Sequence, residues 1–149
     1  MEFSLLAQSF RDEVTRLGVQ ELRTPEEVDG VLANSKGTVL VFVNSVCGCA
    51  GGVARPALAL ALRHKTLPEK LTTVFASEDR EATARAREYF EGMPASSPSI
   101  ALLRNGKLAQ MIHRYQIETS SPEGVAAMLT EAFDKHCGPK VSQQVPAAE

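Results

Sequence analysis

Apolar side chains recur at helical spacing from the start of the chain. Leu5, Leu6, Phe10, Val14 and Leu17 predict an amphipathic helix over residues 4–17, stopped at Gly18. Residues 19–22 predict a short edge strand. Thr24-Pro25-Glu26-Glu27 then reads as a helix start, with an N-cap, a proline at the first helical position and acids that suit the positive helix end. That helix carries Val28, Val31 and Leu32 and frays at Asn34-Ser35-Lys36-Gly37. Residues 38–43, Thr-Val-Leu-Val-Phe-Val, show no polar alternation, which predicts a strand buried on both faces in the middle of a helix-covered sheet. A helical pattern follows from Val53 to about Arg63, and Pro56 inside it predicts a kink or an irregular first turn.

The second half continues the alternation. Residues 71–76 predict another buried strand, and residues 79–90 a helix with a charged face of Glu81, Arg85 and Glu88, stopped at Gly92. Met93-Pro94-Ala95-Ser96-Ser97-Pro98 breaks regular structure. Residues 99–103 and 108–112 flank Asn105-Gly106, a strong hairpin signal. Ser121-Pro122-Glu123 opens a last helix to about Lys135, with Val125, Met128, Leu129 and Phe133 inward. From Thr38 onward the order is β-α-β-α-β-β-α. With a right-handed crossover for the parallel pair, that is the arrangement of an α/β thioredoxin-like fold, a central mixed sheet flanked by helices. The expected organisation is one domain over residues 1–138, made of an N-terminal helical extension (1–37) and a core (38–138), followed by a flexible tail (139–149).

Composition narrows the class. The chain has 149 residues, 44% of them hydrophobic, enough for one ordinary domain with a real core. A formal net charge of -2 gives no electrostatic case for nucleic acid or an anionic membrane as partner. No apolar run approaches the roughly 18–20 residues of a membrane span, and the first 16 residues carry acids and no cleavage-site pattern, so a cytoplasmic location is expected. Three cysteines are too few for a secreted disulfide scaffold; in a reducing compartment, two of them one residue apart suggest redox chemistry or metal binding.

Those two are Cys47 and Cys49, at the junction between the buried strand and the following helix. A thiolate, not a thiol, attacks a disulfide, and the unpaired N–H groups and positive end of a helix favour the thiolate. Gly48, Gly51 and Gly52 allow tight backbone geometry and leave the sulfurs uncovered. A disulfide across a one-residue gap closes a small, strained ring, so the pair is expected to be a relatively oxidising couple or a nucleophile with its resolving thiol. A metal or iron–sulfur site is the rival reading; it needs further ligands, for which Cys137 and His136 are available at the far end of the last helix. A non-catalytic redox sensor is a third. Arg55 could help hold a thiolate or an anionic thiol ligand, but a solvated helix arginine is the better reading. Cys137 is better read as a packed cysteine than as a third redox thiol. His64, His113 and His136 have no carboxylate or cysteine at catalytic spacing and read as surface or structural residues. Pro94 reads as a loop proline. Ser97-Pro98 leads straight into the first hairpin strand, where thioredoxin-like proteins place a cis proline facing the cysteine pair. With that geometry, the Ser97 backbone could pair with an extended substrate segment beside the sulfurs.

At Val43-Asn44-Ser45-Val46-Cys47-Gly48-Cys49-Ala50-Gly51-Gly52-Val53-Ala54-Arg55-Pro56-Ala57 the chain resembles the bacilliredoxin family. The likeness continues at Ser96-Ser97-Pro98-Ser99-Ile100-Ala101-Leu102 and at Phe133-Asp134-Lys135-His136-Cys137. The resemblance implies a cytosolic thiol-disulfide oxidoreductase that removes bacillithiol, a small thiol, from mixed disulfides on client proteins; some members show disulfide isomerase or reductase activity. It implies Cys47 as nucleophile and Cys49 as resolving cysteine, and Cys137 matches a C-terminal cysteine of the family; Gly48, Ser97, Pro98 and Arg55 are the candidate substrate-side residues. It further implies S-thiolated clients and a recycling reductase or small thiol as partners, bacillithiol or a similar thiol as co-substrate, and no tightly bound cofactor.

Overall fold

Every residue of the strand Thr38–Asn44 is buried, as its lack of polar alternation predicts. The protein is described by a computed structural model covering residues 2–137; the tail expected over residues 139–149 lies outside the described residues. In chain order the elements are α1 (Glu2–Thr15), β1 (Gln20–Glu21), α2 (Pro25–Leu32), β2 (Thr38–Asn44), α3 (Arg55–Ala61), β3 (Lys70–Phe75), α4 (Arg80–Arg87), β4 (Ser99–Arg104), β5 (Lys107–Ile112), α5 (Arg114–Glu118) and α6 (Pro122–Ala132). A π-helical turn at Ala50–Ala54 leads into α3, and another at Phe133–Cys137 extends α6.

Among the described residues the strands form one sheet in the order β1-β3-β2-β4-β5. β1, β3 and β2 run parallel; β4 is antiparallel to β2, and β5 is antiparallel to β4. The sheet is therefore mixed and β2 is its middle strand. Pleating sends alternate side chains of β2 to opposite faces. Val39, Val41 and Val43 pack with Val28 and Leu32 of α2 and Ala82 and Ala86 of α4. Leu40 and Phe42 pack on the other side with Val14 of α1, Leu58 of α3 and Val125 and Leu129 of α6. The segment read as an N-terminal extension thus supplies core to both faces.

Local chemistry explains the boundaries. Thr24 caps α2 by accepting from the Glu27 N–H at 3.1 Å, with Pro25 at the first helical position. Ser121 caps α6 in the same way through Gly124 N–H at 3.0 Å. Asn105 and Gly106 take φ values of +53° and +80°, the left-handed pair a two-residue hairpin turn requires. Pro56 does not break α3. It sits in the first turn, and the preceding residue, Arg55, donates its N–H five residues back to the Ala50 carbonyl, so the irregular turn predicted from Pro56 is π-helical.

One element was not anticipated. The helix α5 is five residues long and buries a single apolar side chain, Ile117, too little for a period to show. His113 opens it through a capping box with Gln116, which gives this histidine a structural role. At the opposite edge of the sheet, Arg11 of α1 is only 2% exposed, and its charge is matched by Glu21 at 2.6 Å, Asp79 at 2.7 Å and Glu78 at 3.0 Å. It also lies over the Phe75 ring, 4.7 Å from the centroid, and so fastens α1 to β1, β3 and the start of α4.

Candidate active site

At Asn44 the chain leaves the sheet, and within three residues it turns into a helix. The Cys47 carbonyl accepts the first helical hydrogen bonds, from Ala50 N–H at 3.1 Å and Gly51 N–H at 3.4 Å. Cys47 therefore stands at the N-cap position, where backbone donors lack helical partners. The Cys47 and Cys49 sulfurs are 3.1 Å apart, beyond a covalent S–S bond of about 2.05 Å, and both are partly buried free thiols. Gly48 between them is exposed, and a Cβ there would meet nothing within 4 Å.

The two thiols are pushed in opposite directions. Burial opposes ionisation of Cys47. Hydrogen bonds from the Ser45 hydroxyl, the Cys49 thiol and the Ala50 N–H, with the nearby positive charge of Arg114, outweigh it and hold Cys47 below the ordinary thiol range. Cys49 lies above that range, because burial is reinforced by its hydrogen bond to Cys47 and by the charge Cys47 carries when ionised; Arg114 offsets only part of this. Cys47 is thus the group that ionises first, and Cys49 the donor that keeps its proton.

Ser97–Pro98 is a cis peptide bond, and Pro98 is buried. Arg114, at the start of α5, joins this loop to the cysteines. Its Nη1 donates to the Ser97 carbonyl at 3.1 Å, its Nε to Glu118 Oε2 at 2.9 Å, and its charge acts on both sulfurs. The structure therefore gathers Cys47, Gly48, Cys49, Ser97 and Pro98 around one exposed arginine that sequence reasoning missed. The only signal was a basic residue just beyond the hairpin. Arg114→Ala is expected to raise the Cys47 pKa and slow its alkylation near pH 7 by about two- to fivefold, a modest effect because the guanidinium is solvent-screened. The pH dependence of iodoacetamide labelling at Cys47 measures it.

Arg55 requires a correction on both readings. It is neither a solvated helix residue nor a substrate contact: it is 4% exposed and lies behind the cysteine loop. Its Nε donates to Glu13 Oε1 at 2.6 Å, and its Nη1 to Asn44 Oδ1 at 2.9 Å and the Ser45 carbonyl at 2.8 Å. The metal reading with Cys137 and His136 is not brought together either. Cys137 pairs with the Thr38 hydroxyl, at the end of β2 remote from Cys47, and β2 alone spans about 20 Å. His136 bonds Gln110 at 3.2 Å and His64 bonds Asp134 at 2.9 Å. Among the described residues no group of three or more His, Cys, Asp or Glu is placed to hold a metal ion. Among them, too, no helix is long and apolar enough to cross a membrane.

A family model described as disulphide isomerase matches residues 3–137. A bacilliredoxin of Geobacillus kaustophilus is 53% identical over 132 residues, 89% of this chain and 90% of the relative. The chain belongs to the bacilliredoxin family. Other bacilliredoxins, from Koribacter versatilis and Staphylococcus aureus, are 52% and 51% identical and cover 86% and 89% of this chain and 88% and 90% of their own lengths. Among solved structures, a Fasciola hepatica thioredoxin superposes with a TM-score of 0.56 at 18% identity, covering 79% of this chain and 99% of that one. A Malassezia sympodialis thioredoxin gives 0.57 at 16%, covering 80% and 90%. These establish the thioredoxin-like fold. With that fold and its bacilliredoxin relatives, the chain is a thiol-disulfide oxidoreductase.

Proposed function

We propose that the protein removes bacillithiol, or a small thiol like it, from mixed disulfides on S-thiolated client proteins in a reducing cytoplasm. The observation that carries this reading is the opposed perturbation of two thiols 3.1 Å apart, Cys47 down and Cys49 up. The Cys47 thiolate attacks the small-thiol sulfur of the client mixed disulfide. That S–S bond breaks, the client sulfur leaves as a thiolate and takes a proton, and Cys47 now carries the small thiol. Cys49 then loses its proton and attacks the Cys47 sulfur. The small thiol leaves, and a Cys47–Cys49 disulfide holds the two oxidising equivalents until two small-thiol molecules, which leave joined as their own disulfide, or a reductase return two electrons. All the electrons reside on sulfur, so the cycle calls for no tightly bound cofactor.

The exposed Gly48 leaves the Cys47 side open to a bulky mixed disulfide. The Ser97 backbone is the edge against which an extended client segment would lie, with Pro98 shaping the loop. Disulfide isomerase or reductase activity is the second reading, favoured by the description of the matching family model. It uses the same first attack on a different disulfide. The reduced protein, incubated with bacillithiol, glutathione and coenzyme A mixed disulfides of one client, is to be examined by mass spectrometry. The adduct is expected on Cys47, with the fastest client release for bacillithiol. Equal rates for all three, or adducts on Cys49 first, would refute the bacillithiol assignment or the cysteine roles respectively.

A further inference from the structure

The cysteine loop is held from behind by a chain of polar contacts that starts on α1. Glu13 of α1 pairs with Arg55 Nε at 2.6 Å across 42 residues of sequence. The Arg55 Nη1 group then bridges Asn44 Oδ1 and the Ser45 carbonyl at 2.9 and 2.8 Å. Asn44 Oδ1 also accepts the Ser45 N–H at 2.8 Å, so both backbone polar groups of Ser45 are fixed from the same side. Asn44 Nδ2 returns to α1 through the Phe10 carbonyl at 3.2 Å, and the guanidinium lies 4.3 Å from the Phe10 ring centroid. Ser45 in turn faces the site. Its Oγ accepts the Cys47 N–H at 3.1 Å and its hydroxyl donates to the Cys47 sulfur. Room for this arrangement comes from Gly51, where a Cβ would fall 2.8 Å from Arg55 Nη2.

We infer that Glu13 and Arg55 are positioning residues for Cys47, acting through Asn44 and Ser45, so that helix α1 is a working part of the active site. The inference rests on the proposed role of Cys47 as the attacking thiol. Arg55 does not touch the sulfur. It orients the Ser45 backbone, and the fixed backbone aims the hydroxyl, so the thiolate finds a preset donor rather than a free rotor. The other groups acting on Cys47 are Cys49, the Ala50 N–H from the π-helical turn and Arg114 from α5; none belongs to this chain of contacts. Burying a guanidinium behind a loop is costly unless every contact is made, and here a carboxylate, an amide and a carbonyl make them.

The test is a cycle read as the pH dependence of iodoacetamide alkylation at Cys47, resolved by mass spectrometry. Labelling needs no client and no mixed disulfide, so its outcome is separate from whether the protein removes small thiols. Ser45→Ala is expected to raise the Cys47 pKa and slow labelling below neutral pH by about three- to tenfold, the loss of one hydrogen bond to a thiolate. Arg55→Gln and Arg55→Lys are each expected to slow it in the same direction by about two- to fivefold, since lysine keeps the charge but lacks the fork. Introduced into Ser45→Ala, the same substitutions are expected to add less than about 1.5-fold, because the route to the sulfur is already cut. Full multiplicative effects in that background would overturn the inference, as would wild-type labelling in Arg55→Lys. Glu13 is part-exposed, so Glu13→Gln decides the matter even where Arg55 variants fail to fold. It is expected to slow Cys47 labelling measurably in the Ser45 protein and not in Ser45→Ala. A lowered melting temperature with an unmoved Cys47 profile would mean a structural contact only, and would refute the positioning role.

Discussion

Cys47→Ser is expected to abolish small-thiol transfer, lowering turnover by about a thousandfold or more, to the uncatalysed background. A serine hydroxyl neither ionises near neutrality nor forms a disulfide, so no mixed intermediate can be held at position 47. The surrounding donors would remain in place: the Ser45 hydroxyl, the Ala50 N–H and Arg114 have no thiolate left to stabilise. Cys49 cannot simply take over. Its thiol is held high first by burial and then by Cys47 itself, so replacing Cys47 lets it drift back towards the ordinary range, yet it stays desolvated. Slow labelling of Cys49 with no client release is the expected residue of activity. The check is the rate of client thiol appearance from an S-bacillithiolated client. Wild-type rates in Cys47→Ser would remove the central assignment. In the wild-type protein the same assay should gain rate as pH rises through the lowered Cys47 pKa. It should level off below the pH at which an ordinary cysteine is half ionised, and lose rate as pH falls through that pKa and the sulfur is protonated.

Cys49→Ser has the second largest expected effect and the opposite signature. The first attack should survive within about threefold, because a serine at 49 can still donate a hydrogen bond across to the Cys47 sulfur. The second attack has no nucleophile. Client thiol should be released in a single burst of one equivalent, after which the protein accumulates as the Cys47 adduct of the small thiol. Intact mass spectrometry reads that adduct directly. Release of the small thiol from Cys47 in Cys49→Ser with no reductant added, so that no adduct accumulates, would show that Cys49 is not the resolving group, whereas loss of the burst would give it part of the first step.

These two residues were legible from sequence because the signal was local. An unbroken apolar strand, two cysteines one residue apart, glycines and a helical pattern follow one another between residues 38 and 63. The hairpin turn at Asn105-Gly106 and the helix starts at Thr24-Pro25 and Ser121-Pro122 were legible for the same reason. Each is a backbone requirement met by adjacent residues. Arg114 escaped because α5 is one turn with a single buried anchor, Ile117, and its meaning comes from the Ser97 carbonyl 17 residues earlier. Arg55 was placed correctly on a helix and wrongly in solvent. Helical spacing says which face a residue occupies, not what covers that face, and the cover here is α1.

By itself, then, the chain determined the strand–helix order apart from α5, the mixed sheet with β2 at its centre and the placement of Cys47 and Cys49 at a helix start, because periodicity, turn chemistry and capping act between near neighbours. Tertiary structure alone decided which thiol ionises first and what holds it there. That difference arises from burial, from a hydroxyl aimed by a buried arginine and from a charge carried in on α5, and each depends on segments meeting across many residues of chain, where no local pattern reaches.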